Sequence, residues 1–246
     1  MRVLILSDLH ANWPALEAVL QDAAGQYDEM LCCGDLVGYN ADPGRVVDWV
    51  RANCELVIRG NHDKVVGGIE KLEWFNDVAQ AAARWTMAQL TGDQLDYLRG
   101  LTPGPVKVLG VQMWHGSPRD EDEYITTLRE AAPCFGFFEE PVAFFGHSHL
   151  QGGFLSRYRR LGTIAQVPKN QRESTLQLET DTLYLINPGS VGQPRDGDSR
   201  AAYAIYDSEQ KVVLFRRAKY PLEKTVAAIQ AAGLPDLLWQ RLLAGI

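Results

Sequence analysis

The chain has 246 residues, 46% hydrophobic and 22% charged, an ordinary globular balance with length for one large domain or at most two small ones. A formal net charge of -7 argues against a broad footprint for nucleic acid polymer or an anionic membrane. It leaves room for a small phosphate substrate, because bound metal cations invert the local field of an acidic site.

No apolar run of about 18 residues offers a membrane span, and the N-terminal apolar stretch is too short for a secretory signal. Cys32, Cys33, Cys54 and Cys134 form no Cys-x-x-Cys pair, so reduced, buried thiols in a cytoplasmic protein are expected. Residues 3–6 are apolar and β-branched and read as a buried strand. The spacing predicts a helix over 14–24, with proline in its first turn. Residues 30–33 give a second strand, 43–53 a helix with Val46, Val47 and Val50 on one face, and 56–58 a third strand. This β-α-β-α-β order implies a largely parallel sheet with right-handed crossovers. Helices are expected over 75–90 and 91–98, a hairpin over 106–114 turning at Gly110, and a strand over 142–145. Further on, 183–186, 201–206 and 212–216 read as strands, and 223–232 and 236–243 as helices. Residues 157–177 show no clear period. Without a repeat or linker, the expectation is one domain over 1–246 containing two sheets.

The residues just past each strand are more informative. The run 3–6 leads into Ser7-Asp8-Leu9-His10, 30–33 into Gly34-Asp35, and 56–58 into Arg59-Gly60-Asn61-His62-Asp63. The hairpin leads into His115-Gly116-Ser117, and 142–145 into Gly146-His147-Ser148-His149. Ligands of open α/β sheets bind at the carboxyl ends of strands. A single histidine there is usually a satisfied structural group, and a single Asp is often a helix cap. Here all five histidines of the chain fall in these segments, beside Asp8, Asp35, Asn61 and Asp63. Carboxylate, imidazole and amide donors together suit divalent manganese, iron or zinc rather than copper(I). The absence of thiolates argues against a structural zinc site. Seven candidate ligands are too many for one ion. Two ions, roughly 3.5–4 Å apart and sharing a carboxylate and a water, are the natural count.

Asp8-x-His10, Gly34-Asp35, Gly60-Asn61-His62-Asp63, His115-Gly116 and Gly146-His147-x-His149 resemble, in order, the five motifs of the calcineurin-like metallophosphoesterases. Gly38-Tyr39 and the stretch from Asn187 to Arg195 also resemble the small prokaryotic phosphodiesterase branch, related to diadenosine tetraphosphatases. The resemblance implies a four-layer αββα sandwich with two mixed sheets and the metal site at the strand carboxyl ends. It implies that Asp8, His10 and His149 bind one metal, that Asn61, His115 and His147 bind a second, and that Asp35 bridges them. His62 would stay free of metal near the scissile phosphate as the catalytic histidine; the adjacent Asp63 is a candidate to orient or charge-stabilise it. A hydroxide made from the bridging water would attack phosphorus while the metals neutralise developing charge.

The sequence departs from the protein-phosphatase branch, which carries Asp-Arg-Gly where Gly38-Tyr39-Asn40 stands here. The missing arginine would have gripped a phosphomonoester dianion, so the expected substrate is a small, nucleotide-like phosphate ester. Alternatives are a diadenosine tetraphosphate hydrolase and a non-catalytic scaffold that keeps the fold. Asn12, Tyr39, Ser117 and Arg195 are candidate substrate contacts. Asn12 reads equally as a helix cap before Pro14, and Arg195 as part of a solvated loop with Asp196 and Asp198. The acidic run 120–123 reads as surface, and the tryptophans as core or helix face rather than a base-stacking platform.

Overall fold

A computed structural model describes residues 1–246. Its strands are β1 (Arg2–Leu6), β2 (Glu29–Cys32), β3 (Leu56–Val57), β4 (Val106–Val108), β5 (Val111–Met113), β6 (Val142–Phe144), β7 (Gly152–Arg157), β8 (Arg160–Ile164), β9 (Glu173–Gln177), β10 (Thr182–Asn187), β11 (Ala201–Asp207) and β12 (Val212–Ala218). They form two six-stranded sheets, in the orders β3-β2-β1-β11-β12-β9 and β4-β5-β6-β10-β7-β8. The helices are α1 (Trp13–Ala23), α2 (Pro43–Asn53), α3 (Asn61–Val66), α4 (Asp77–Gln89), α5 (Gly92–Gly100), α6 (Leu128–Ala131), α7 (Leu222–Ala231) and α8 (Asp236–Ala244).

The apolar runs behave as strands buried on both faces. Along β1, Val3 and Ile5 join the core between the sheets, while Leu4 and Leu6 join the core under α1 and α2. Met30 and Cys32 pack outward and Leu31 and Cys33 inward in the same way. In the second sheet Val142 and Phe144 face the inter-sheet core, and Ala143 and Phe145 pack with Ala131 and Cys134 on the outer side. With side chains alternating along each strand, every residue of such a run meets an apolar layer. The result is the αββα sandwich.

Parallel pairing holds for β1 with β2 and β2 with β3, but stops at β11, which pairs antiparallel with β1. Residues 157–177 carry β8 and β9, the outer strands of the second and first sheets, and each mixes exposed with half-buried positions. The helix expected from residue 75 begins at Asp77, because Asn76 caps it by accepting the Ala79 N–H at 3.0 Å. Trp74 and Phe75 therefore stay outside α4, Trp74 ending a 3-10 turn (Leu72–Trp74). The terminal helices pack on α4: Ile229, Leu238 and Leu242 form one cluster with Ala79, Ala82 and Tyr39. No helix is long and apolar enough to cross a membrane.

All four cysteines are free. Burial pushes the Cys54 thiol up to about 12 and the Cys134 thiol up to about 11. A thiolate is the reactive form, so a disulfide-exchange reagent at pH 8 is expected to label the folded protein slowly and all four thiols after denaturation. Cys32, Cys33 and Cys134 are buried and Cys54 is half-buried, so rapid labelling of more than one thiol in the native chain would contradict this placement.

Candidate metal centre

Five strand ends converge on one edge of the sandwich. Asp8, His10, Asp35 and His149 form one group and Asp35, His115 and His147 another, the ligand atoms in each lying within 4.8 Å of one another and all side chains buried. Asp35 belongs to both. Asn61 joins the second group, its Oδ1 standing 3.0 Å from His147 Nδ1 and 3.3 Å from His115 Nε2. The structure thus brings all seven expected ligand side chains together.

The backbone at these positions is strained. Asp8, His10, Asp35, His147 and His149 all have left-handed φ, between 44° and 64°, at a cost of about 1 kcal/mol or more each for a non-glycine residue. Neighbouring turns hold them: Asp8 N–H donates to Gly34 O at 2.9 Å, His10 N–H to Asp35 O at 2.9 Å, and Gly192 N–H to Asp8 O at 2.9 Å. At Gly60 the chain passes so close that a Cβ would stand 2.1 Å from Asp35 Oδ1.

Four histidines each have one ring nitrogen tied to a backbone carbonyl. His10 Nδ1 meets Val37 O at 2.9 Å, His115 Nδ1 meets Cys33 O at 2.7 Å, His149 Nδ1 meets Gln193 O at 2.5 Å, and His147 Nε2 meets Asp122 O at 3.1 Å. A carbonyl only accepts, so these nitrogens carry the protons and the opposite nitrogens turn inward. His10 Nε2 and His149 Nε2 then face each other at 3.1 Å. Burial pushes both imidazoles well below their ordinary range, so neither supplies a bridging proton. Two bare lone pairs at that distance repel unless a cation lies among them. Asp8 Oδ2, also buried, has no hydrogen-bond partner. The donor set and its unmatched lone pairs fit divalent cations.

His62 differs from the other four. Its ring is held by packing, with centroids 4.4 Å from Tyr39, 4.5 Å from Phe75 and 4.8 Å from His10. Nδ1 is buried without a partner against Gly38, where a Cβ would stand 2.3 Å away. Gly38-Tyr39 therefore forms the wall that seats His62 in place of a carboxylate. Burial pushes its pKa down to about 4, so the ring is neutral at pH 7.

Asp63 does not orient His62. Its carboxylate accepts three backbone N–H groups, from Asp35 at 2.8 Å, Leu36 at 2.9 Å and Gly60 at 3.0 Å. At the third position of α3 it reaches back to the helix start and across to the turn carrying Asp35.

Among the expected substrate contacts, Tyr39 and Arg195 line a cavity of about 450 Å³ that opens from the histidine cluster, and Asn12 and Ser117 do not. Asn12 caps α1 and donates from its amide to Gly192 O at 2.9 Å. Ser117 bonds Glu123 at 2.5 Å within its own turn. Arg195 is not part of a solvated charged loop, because Asp196 pairs with Arg217 and Asp198 with Arg200. Its own hydrogen bonds go to neutral groups: Tyr39 Oη at 3.3 Å, Gln193 Oε1 at 3.2 Å and Tyr124 Oη at 3.5 Å. In the acidic run Asp120 and Asp122 are exposed, as expected of surface, but two of its members are ion-paired. Glu121 and Asp122 both pair with the largely buried Lys64, and Asp122 lines the cavity. Trp74 is not core; it is 77% exposed at the cavity mouth. The Asn76 cap was the sequence signal that Phe75, too, lies outside the helix.

The chain matches the calcineurin-like phosphoesterase superfamily domain over residues 1–211 and belongs to that family. It is similar to a metallophosphoesterase from Sphaerobacter thermophilus, with 40% identity, a TM-score of 0.85 and coverage of 100% of this chain and 99% of that one. It is 33% identical to the protein MJ0912 of Methanocaldococcus jannaschii, over 99% of this chain and 98% of the relative. The structure of PH1004 from Pyrococcus horikoshii OT3 shares the fold at 19% identity and a TM-score of 0.79, covering 100% of this chain and 98% of that one. The protein is a metal-dependent phosphoesterase, which sets aside the non-catalytic scaffold.

Burial raises the Asp8 carboxyl to about 7, whereas His115 is raised to about 10 because its pairing with Asp35 outweighs burial. A cation binding these atoms must displace those protons. Divalent metal is therefore expected to bind more tightly as pH rises from 6 to 8, with proton release visible in calorimetry across buffers of different ionisation enthalpy. A pH-independent affinity would contradict the ligand assignment. Asp63→Ala, which orphans three backbone N–H groups, is expected to destabilise the fold by about 3 kcal/mol or more in urea unfolding.

Proposed function

We propose that the protein is a dinuclear phosphodiesterase or phosphatase for small, nucleotide-like phosphate esters. Asp8, His10 and His149 hold one divalent cation, Asn61, His115 and His147 a second, and Asp35 reaches both; manganese, iron and zinc suit this donor set. The single observation that supports this reading most is the pair of proton-free nitrogens of His10 and His149 facing each other at 3.1 Å. Bound cations would supply Lewis acidity to the phosphoryl oxygens and lower the pKa of a water toward neutrality.

The chain's own residues do the rest. With Nδ1 of His62 buried against Gly38, Nε2 is the ring nitrogen offered to substrate. Neutral at pH 7, it donates a hydrogen bond to a phosphoryl or leaving oxygen. Arg195 brings a guanidinium with only neutral partners to the same cavity, where it pairs with the phosphate and takes the part of the arginine lost at Gly38-Tyr39-Asn40. A cavity of about 450 Å³ accommodates a nucleotide-sized ester rather than a polymer, in keeping with the net charge of -7. Four free thiols favour a reducing compartment such as the cytoplasm. We take 1–246 as one catalytic domain, since α7 and α8 pack against the cavity wall at Tyr39.

The manganese-loaded protein is expected to hydrolyse bis-p-nitrophenyl phosphate, and a folded protein inert with every common divalent metal overturns the reading. His62→Ala should lower kcat by about 10²–10⁴-fold with metal content unchanged, and Arg195→Ala should chiefly raise KM. Chromatography of diadenosine tetraphosphate digests tests the dinucleoside polyphosphate alternative.

A further inference from the structure

One part of the cavity is lined by ligand side chains, His62 and Arg195, and another by Val65, Trp74, Phe75 and Ala79 beside the polar Glu70, Asn76 and Asp122. There Trp74 stands 77% exposed, the highest value of any large hydrophobic side chain in the protein. No aromatic ring of the protein stacks on it, although His62 packs at a tilt against both Tyr39 and Phe75 nearby. An indole that could bury some 150–250 Å² is left in water at the mouth of a binding cavity. Val65, Phe75 and Ala79 continue the apolar lining inward toward His62.

The carboxylates in this part are ion-paired, and of the Asn76 amide only the oxygen is engaged. Glu70 and Asp122 both hold Lys64, each at 2.5 Å, and Asn76 Oδ1 accepts the Ala79 N–H. Apart from the Asn76 amide N–H groups, little remains to read the edge of a ligand by hydrogen bonds. The site offers instead a flat apolar face that lines the same cavity as Arg195 and His62. A face with so few edge contacts selects planarity and tolerates different ring substituents, since every nucleobase has a π-face.

Building on the phosphoesterase reading of the same site, we propose that Trp74, with Phe75, Val65 and Ala79, forms a stacking subsite for the base of a nucleotide ester, accepting purines and pyrimidines alike. Trp74 adds affinity for the base, while Arg195 and the ligand cluster fix the phosphate.

The test compares ligands that share phosphate and ribose and differ only in the base. Calorimetry on manganese-loaded protein measures AMP, CMP and ribose 5-phosphate, with quenching of indole fluorescence as a second readout. AMP and CMP are each expected to bind about 10-fold or more tightly than ribose 5-phosphate. Trp74→Ala should shrink that gap to about threefold or less, and Trp74→Phe should keep most of it while losing the fluorescence quench. Because the side chain is largely exposed, neither variant disturbs the core. Equal binding of AMP and ribose 5-phosphate to the wild type, or an undiminished gap in Trp74→Ala, overturns the subsite. If that happens while the wild type still hydrolyses bis-p-nitrophenyl phosphate, only the subsite falls. If no phosphate ester is turned over with any divalent metal and none of the three ligands binds, the functional reading falls and the subsite with it.

Discussion

His10 and His149 present unprotonated nitrogens to each other across 3.1 Å of buried space, an arrangement that is unfavourable in the protein by itself. It persists because the far side of each ring is fixed to a backbone carbonyl, at Val37 and Gln193, and the rings cannot rotate away without losing those bonds. Much of the site can be understood as a frame that holds mutually repelling donors in place. The left-handed turns at Asp8, His10, Asp35, His147 and His149 are part of that frame, and so is the close passage of Gly60 beside Asp35. Such strain is tolerated when the surrounding structure over-determines it. Here the sandwich does so by joining the strand-end turns to one another through backbone hydrogen bonds.

Asp63 shows how closely frame and chemistry are joined. It lies next to the histidine proposed for catalysis, yet its carboxylate serves the backbone of Asp35, Leu36 and Gly60. His62 is positioned by shape instead, wedged among Tyr39, Phe75 and the bare Cα of Gly38. Packing lowers its pKa and sets its orientation in a single step, where a partnering carboxylate would have fixed orientation and raised the pKa.

The ligand set was legible because histidine and aspartate after short apolar runs have few purely structural explanations when five strands repeat the pattern. Those strands were legible because β1, β2 and β6 are buried on both faces, leaving unbroken apolar runs. The strands β8 and β9 were not, since outer strands with half-exposed faces carry no such run. Side-chain direction was the other blind spot. Adjacency to His62 suggested a partner role for Asp63, but the third position of a helix points a carboxylate back at the helix start. The acidic run at 120–123 looked like surface because its counter-ion, Lys64, is distant in sequence. Phe75 was absorbed into a helix that in fact begins only at Asp77, just after its asparagine cap, and Trp74 was read with the other tryptophans as core or helix face.

The packing of α7 and α8 against Tyr39 and Ala79 has a consequence for how such a protein changes over generations. Every candidate metal ligand precedes residue 150, and the match to the family ends at residue 211. The helices that brace the cavity wall lie beyond both. No side chain of α7 or α8 lines the cavity, so mutations there act on the pocket only through the packing of Tyr39 and Ala79, away from the candidate metal ligands. The cavity-lining side chains Tyr39, Val65, Trp74 and Phe75 are interleaved with the candidate metal ligands, so changes at those positions arise beside the chemistry, whereas the bracing helices are free to vary apart from it.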